Sequence, residues 1–213
     1  MEITLIKDKK KQIHKMPTNW NEVSLGQYVQ VIKKVKQVGL RELEKVVSVI
    51  NILTGISEED LMRLSTRNVS KIGGYISELI QSLPKDDLQH IIKIGDIEYG
   101  FHPKLADITM GEWVDIDTYI GNGIEDNMHK IMSVLYRPII AKDGEKYAIE
   151  EYIPDEERQK LFYNELNVGH FYGVSVFFSN LGNDLLKNSL KYSIHQLKQE
   201  NEKDLQDMDL NNK

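Results

Sequence analysis

The chain has 213 residues, 40% hydrophobic and 28% charged, a balance that excludes a disordered chain and suits one with a buried core. Its formal net charge of −6 argues against a general nucleic-acid coat, which needs positive charge to neutralise phosphate. The absence of cysteine removes disulfides, thiolate nucleophiles and Cys-ligated zinc together.

The longest apolar runs, such as residues 46–50, fall far short of the ~18 residues that a membrane span needs. The opening stretch lacks the apolar core and cleavage site of a signal peptide, so a cytoplasm or an assembled particle is the expected compartment. Residues 1–23 form an N-terminal arm. Within it Ile3-Thr4-Leu5-Ile6 predicts an edge strand or a segment that docks on a neighbour, and the lysines of 7–15 predict a solvated extension.

Residues 24–84 read as a first helical unit. Ser24 and Gln27 form a capping box, in which two side chains satisfy amides that a helix start leaves unpaired. Tyr28, Val29, Ile32 and Val35 follow with helical spacing, and Gly39 closes the helix. A second helix is predicted over 41–53, stopped by Thr54-Gly55; Ser57 caps a short third; the apolar positions from Val69 to Leu83 predict a fourth, closed by Pro84. The Gly73-Gly74 pair inside it marks close helix packing and has none of the surroundings of a phosphate loop.

The connector, 85–108, contains alternating residues on either side of Gly95-Asp96 and predicts a β-hairpin. A lone hairpin is marginal in water, so it must pack on the helices or extend a sheet of another chain.

A second unit, 109–186, repeats the first. Ser24 to Thr109 is 85 positions, as is Ser48 to Ser133, and the flanking residues match in chemical type: Gly26 with Gly111, Tyr28 with Trp113, Val29 with Val114. Thr109 and Glu112 form the capping box, and Trp113, Ile116 and Tyr119 or Ile120 form the helix face, with Trp113 expected to be largely buried. The next helix covers 128–135 and ends at Tyr136-Arg137-Pro138. An insert over 141–153 predicts a second hairpin around Asp143-Gly144, after which Pro154–Glu157 resumes the Ser57–Asp60 pattern and Asn167-Val168 resumes Asn68-Val69. The predicted fold class is mainly α with small β-hairpins, built on an internally duplicated helical unit. The helix over 168–186 is too apolar for a single buried face, which makes Phe171, Phe177, Phe178 and Leu181 the candidate partner-interface residues. The tail, 187–213, is polar, with Leu190, Ile194 and Leu197 keeping one stripe.

No residue pattern points to catalysis, a cofactor or a metal. The clustered acids, such as Glu58-Glu59-Asp60 and Asp155-Glu156-Glu157, stand at helix starts, where the helix dipole accounts for them. No two of the six histidines are three or four residues apart, and phosphate-loop, zinc-protease and nucleophile-elbow motifs are absent.

Four segments carry a family resemblance: Met16-Pro17-Thr18-Asn19-Trp20-Asn21-Glu22-Val23-Ser24, Leu53-Thr54-Gly55, Ile108-Thr109-Met110-Gly111-Glu112-Trp113 and Leu135-Tyr136-Arg137-Pro138-Ile139. In this order they resemble small proteins encoded in the structural-gene modules of tailed bacteriophages of Bacteroidetes-type hosts, which are similar to tail-assembly chaperones or minor virion proteins. The resemblance covers about residues 16–186 and implies a non-enzymatic protein of the virion or of the host cytoplasm during assembly. The implied partners are other phage structural proteins or further copies of the chain. The alternatives are a tail-assembly chaperone absent from the mature virion, or a packaged protein that meets nucleic acid only through the basic N-terminal arm.

Overall fold

The computed structural model describes residues 2–7, 10–82, 84 and 87–181. Among these the chain is mainly α-helical with two small antiparallel sheets. The arm is tied down: β1 (Glu2–Lys7) pairs with β2 (Lys10–Lys15), and the alternation that suggested a strand sends Ile3 and Leu5 into the core. The lysine stretch is solvated as expected, every residue of β2 but His14 being exposed, but it is a paired strand rather than a free extension. Asp8 and Lys9 lie outside the described residues, as do 182–186 and the tail.

The first four helices follow the predicted spacing. In α1 (Leu25–Lys36) the Ser24 hydroxyl accepts from the Gln27 amide and the Gln27 carbonyl oxygen accepts from the Ser24 amide, both at 3.1 Å. The helix α2 (Glu42–Thr54) ends at Gly55, whose φ of 71° is left-handed and suits glycine. Then come α3 (Glu58–Met62) and α4 (Thr66–Gln81), capped by Ser57 and Ser65. Gly73 faces Val46 on α2, where an added Cβ would lie 3.8 Å from the valine, an ordinary contact, while a Cβ on Gly74 would meet nothing within 4 Å, so the pair does not mark close packing.

The two expected hairpins are one sheet. Strands β3 (Ile91–Ile94) and β4 (Ile97–Phe101) pair as predicted, but β5 (Tyr136–Asp143) leaves α6 (Ile124–Leu135) without a loop and joins β4 to β6 (Lys146–Ile149), giving the order β3-β4-β5-β6. Tyr136-Arg137-Pro138, expected only to stop a helix, is thus the strand segment that unites the hairpins. This answers how the first hairpin is stabilised. The remaining helices are α5 (Met110–Gly121), α7 (Glu156–Glu165) and α8 (168–181). Asn167 caps α8 by accepting from the His170 amide at 3.1 Å, and Ser65 caps α4 by accepting from the Asn68 amide.

Two cores meet at α1. Val31 packs into the first, with α2, α4 and the N-terminal hairpin; Leu25 and Val29 pack into the second, with the sheet, α6, α7 and α8. Backbone bonds lock this second contact: the Leu25 amide donates to Leu166 O at 2.8 Å and the Val168 amide to Val23 O at 3.0 Å. The Tyr163 ring presses on Gly26 so closely that a Cβ there would overlap it. By contrast α5 lies at the margin. Its inward residues are Glu112, Ile116 and Tyr119, while Trp113 is 57% exposed. The expectation of a buried Trp113 fails because its ring lies, with Met110 and Val114, on the face of α5 turned away from Glu112, Ile116 and Tyr119.

Candidate functional site

Two features of α5 qualify, one on each side of the helix. On the inner side the capping box does additional work. The Glu112 carboxylate accepts from the Thr109 amide at 2.6 Å and also holds the Arg137 guanidinium of β5, with both acid and base almost fully buried. His102 Nε2 lies 3.6 Å from the same carboxylate, and the His102 amide donates to Leu135 O at 2.8 Å. Arg137 also stacks on Tyr152, 5.7 Å from the ring centroid, and the Tyr152 hydroxyl donates to Asp115, one turn along α5.

Protonation follows from these contacts. Burial alone raises the Glu112 pKa, but the Thr109 hydrogen bonds and the Arg137 charge together outweigh it and hold the carboxyl below the usual carboxylate range. Burial lowers His102 more than the Glu112 charge raises it, so the imidazole is neutral at pH 7. An ionised Glu–Arg pair beside a neutral histidine anchors the start of α5 to β5. A cleft of about 1350 Å³ runs past this cluster, with acids such as Glu150 and Glu151 and bases such as Lys104 and Lys146 mixed around its wall. Charges of both signs around one cleft do not define a ligand of one chemistry. Among the described residues no group of three or more His, Asp or Glu could hold a metal ion.

The outer side of α5 is an apolar face. Met110, Trp113, Val114 and Ile120 fall on one helical stripe and are exposed, Met110 by 77%, as is Ile124 at the start of α6. An uncovered stripe of this length, interrupted by one acid, Asp117, is the kind of patch that marks protein contact.

The four residues expected at an interface from sequence divide into two pairs. Phe171 and Phe177 pack against the second core, with Phe177 5.6 Å from the Phe101 ring; Phe178 and Leu181 are exposed by just over a third. The basic residues divide as well. Lys33 pairs with Asp126 at 3.0 Å and Lys36 with Glu125, so the first turn of α6 neutralises these two lysines of α1. No helix among the described residues is long and apolar enough to cross a membrane. Sequence reasoning missed the α5 face because its periodicity is that of an ordinary core-facing helix, and missed the Glu112–Arg137 pair because its members are 25 residues apart.

Comparison of the chain with family models, with curated proteins and with solved structures gives no match.

Proposed function

We propose that the chain is a non-enzymatic structural or morphogenesis protein of a tailed bacteriophage, built from two copies of one helical unit and acting through protein–protein contacts in the tail or head–tail region. The observation that carries this reading is the exposed apolar face of α5, a surface suited to another protein and costly to leave in water. The resemblance of the 16–24, 53–55, 108–113 and 135–139 segments to phage structural-module proteins supplies the context.

The duplication draws support from matched details. In both halves a hydroxyl residue and an N3 Gln or Glu form a capping box, two helices follow, and a short helix and a longer one close the unit. Ser48 and Ser133 are both buried. The insert over 141–153, which carries the end of β5 and all of β6, separates the halves in length.

The protein would be found in the virion, or in the host cytoplasm while particles assemble. Mass spectrometry of purified particles, together with a phage carrying Trp113→Asp, tests the reading. The expected results are the protein in the particles and a collapse of infectious yield in the variant. A protein absent from particles yet required for tails would point to an assembly chaperone. Wild-type yield from Trp113→Asp would reject the α5 face as the working surface.

A further inference from the structure

The contact that seats α1 has two open counterparts on the same molecule. In the seat, Leu25 and Val29 share a core with Met128 and Met132 of α6 and with Leu166, the residue before the α8 cap. Eighty-five positions after Leu25 and Val29 stand Met110 and Val114 of α5, both exposed. Eighty-five positions before Met128 and Met132 stand Leu43 and Val47 of α2, and Leu64 precedes the α4 cap as Leu166 precedes that of α8. These three line a surface cleft of about 270 Å³ among α2, α3 and α4, together with Met62. Leu43 is 54% exposed where its counterpart Met128 is 3% exposed. The second half has a filled groove and an uncovered first helix; the first half has a covered first helix and a groove open at Leu43 and Met62, with Val47 buried at its floor.

We propose that a second copy of this chain supplies the missing contact: the α5 face of one copy enters the α2–α3–α4 groove of the next, as α1 enters the α6–α7–α8 groove within the chain. The proposal rests on the duplicated-unit reading given above. It places Trp113 against the groove rim at Met62 and sets the Met110 amide of one copy against Leu64 O of the next, the counterpart of the Leu25 amide on Leu166 O. Charge points the same way. On the outer face of α5 the one charged residue is Asp117, whereas α4 carries Arg67 and Lys71 and no acid before Glu78. Because the two surfaces differ, the contact is heterologous, and repeating it closes a ring or extends a filament according to its rotation.

The test is sedimentation velocity of the full chain over a wide concentration range, with Trp113→Asp on the α5 face and Met62→Asp and Leu43→Asp in the groove. Far-UV circular dichroism confirms that each variant is folded. The expected result is a wild-type mass that at least doubles with concentration while each variant remains a monomer. An equimolar mixture of Trp113→Asp and Met62→Asp restores one good surface on each partner and should give 1:1 pairs and nothing larger. Association of the groove variants like wild type would mean that α5 pairs with itself and would overturn the proposal, as would a mixture that fails to pair. A wild type that stays monomeric throughout also overturns it. If Trp113→Asp nevertheless abolished phage assembly, the protein-contact reading would stand with a different partner.

Discussion

Gln27 and Glu112 tie their helices down in the same way, 85 residues apart. The Gln27 amide nitrogen donates to Ile52 O at 3.1 Å, and Glu112 holds Arg137, which follows Ile52 by the same 85 positions. The first half makes this link with a neutral hydrogen bond and the second with a buried ion pair.

That difference sets the first prediction. Arg137→Ala leaves Glu112 ionised and unpaired in a buried site, and should lower stability by about 3–5 kcal/mol in urea titration. Adding Glu112→Gln removes the stranded charge while keeping a capping box of the Ser24–Gln27 kind. The double variant should therefore be more stable than Arg137→Ala alone. Equal or greater loss would show that packing, not charge, explains the cost.

Gly26 and Gly111 should respond oppositely. Gly26→Ala forces a methyl group into the Tyr163 ring and should cost about 1–3 kcal/mol. At Gly111 a methyl group meets nothing within 4 Å, and alanine's better helix propensity should leave the monomer unchanged or stabilise it by up to about 1 kcal/mol. Thermal unfolding of the two variants under conditions that keep them monomeric checks the contrast; a large loss at Gly111 would contradict the peripheral placement of α5.

Acid should weaken the fold before its carboxylates titrate. Burial, assisted by Lys130, lowers the His129 pKa to about 4, from 6.5 in the free residue. Between these values the unfolded chain binds the proton more readily than the folded one. The His129 contribution is thus fully present above pH 6.5 and is lost as pH falls toward 4, by about 2–3 kcal/mol. The lowered values of His102 and His170 act in the same direction. His129→Gln should flatten the fall in stability across this window, and an unchanged slope would contradict the assignment.

Local chemistry made the helix starts readable: Ser24, Ser57 and Thr109 cap the helices that their spacing predicts. The hairpin turns at Gly95 and Gly144 were equally plain, since both glycines adopt positive φ. What the sequence left hidden depends on partners far along the chain. Tyr136-Arg137-Pro138 looks like a helix stop and becomes a strand because β4 is there to pair with it. Trp113 looks like a core aromatic because it matches Tyr28, yet burial is a property of the covering element, and α7, which packs on α1 and α6, reaches α5 at Tyr119 and leaves Trp113 exposed. Of the candidate interface residues, Phe171 and Phe177 were drawn inward by Phe101 and its neighbours, a contact that composition cannot indicate.

The exposed Trp113 leads to a stability prediction that separates the two roles. Trp113→Ala should change monomer stability by less than about 1 kcal/mol, against the 3–5 kcal/mol of a buried tryptophan. A greater loss in dilute solution would place the side chain in the monomer core.

The most direct single measurement is the fluorescence of Trp113 as a function of protein concentration in a Trp20→Phe background. Trp20 is the only other tryptophan, and phenylalanine preserves its edge contact with Tyr28. The expected emission is that of a solvated indole in dilute solution, moving to shorter wavelength as copies associate, with no movement once Leu43→Asp is added. A solvated spectrum at every concentration would contradict self-association through the α5 face, and a buried spectrum at the lowest concentration would contradict the exposed face itself.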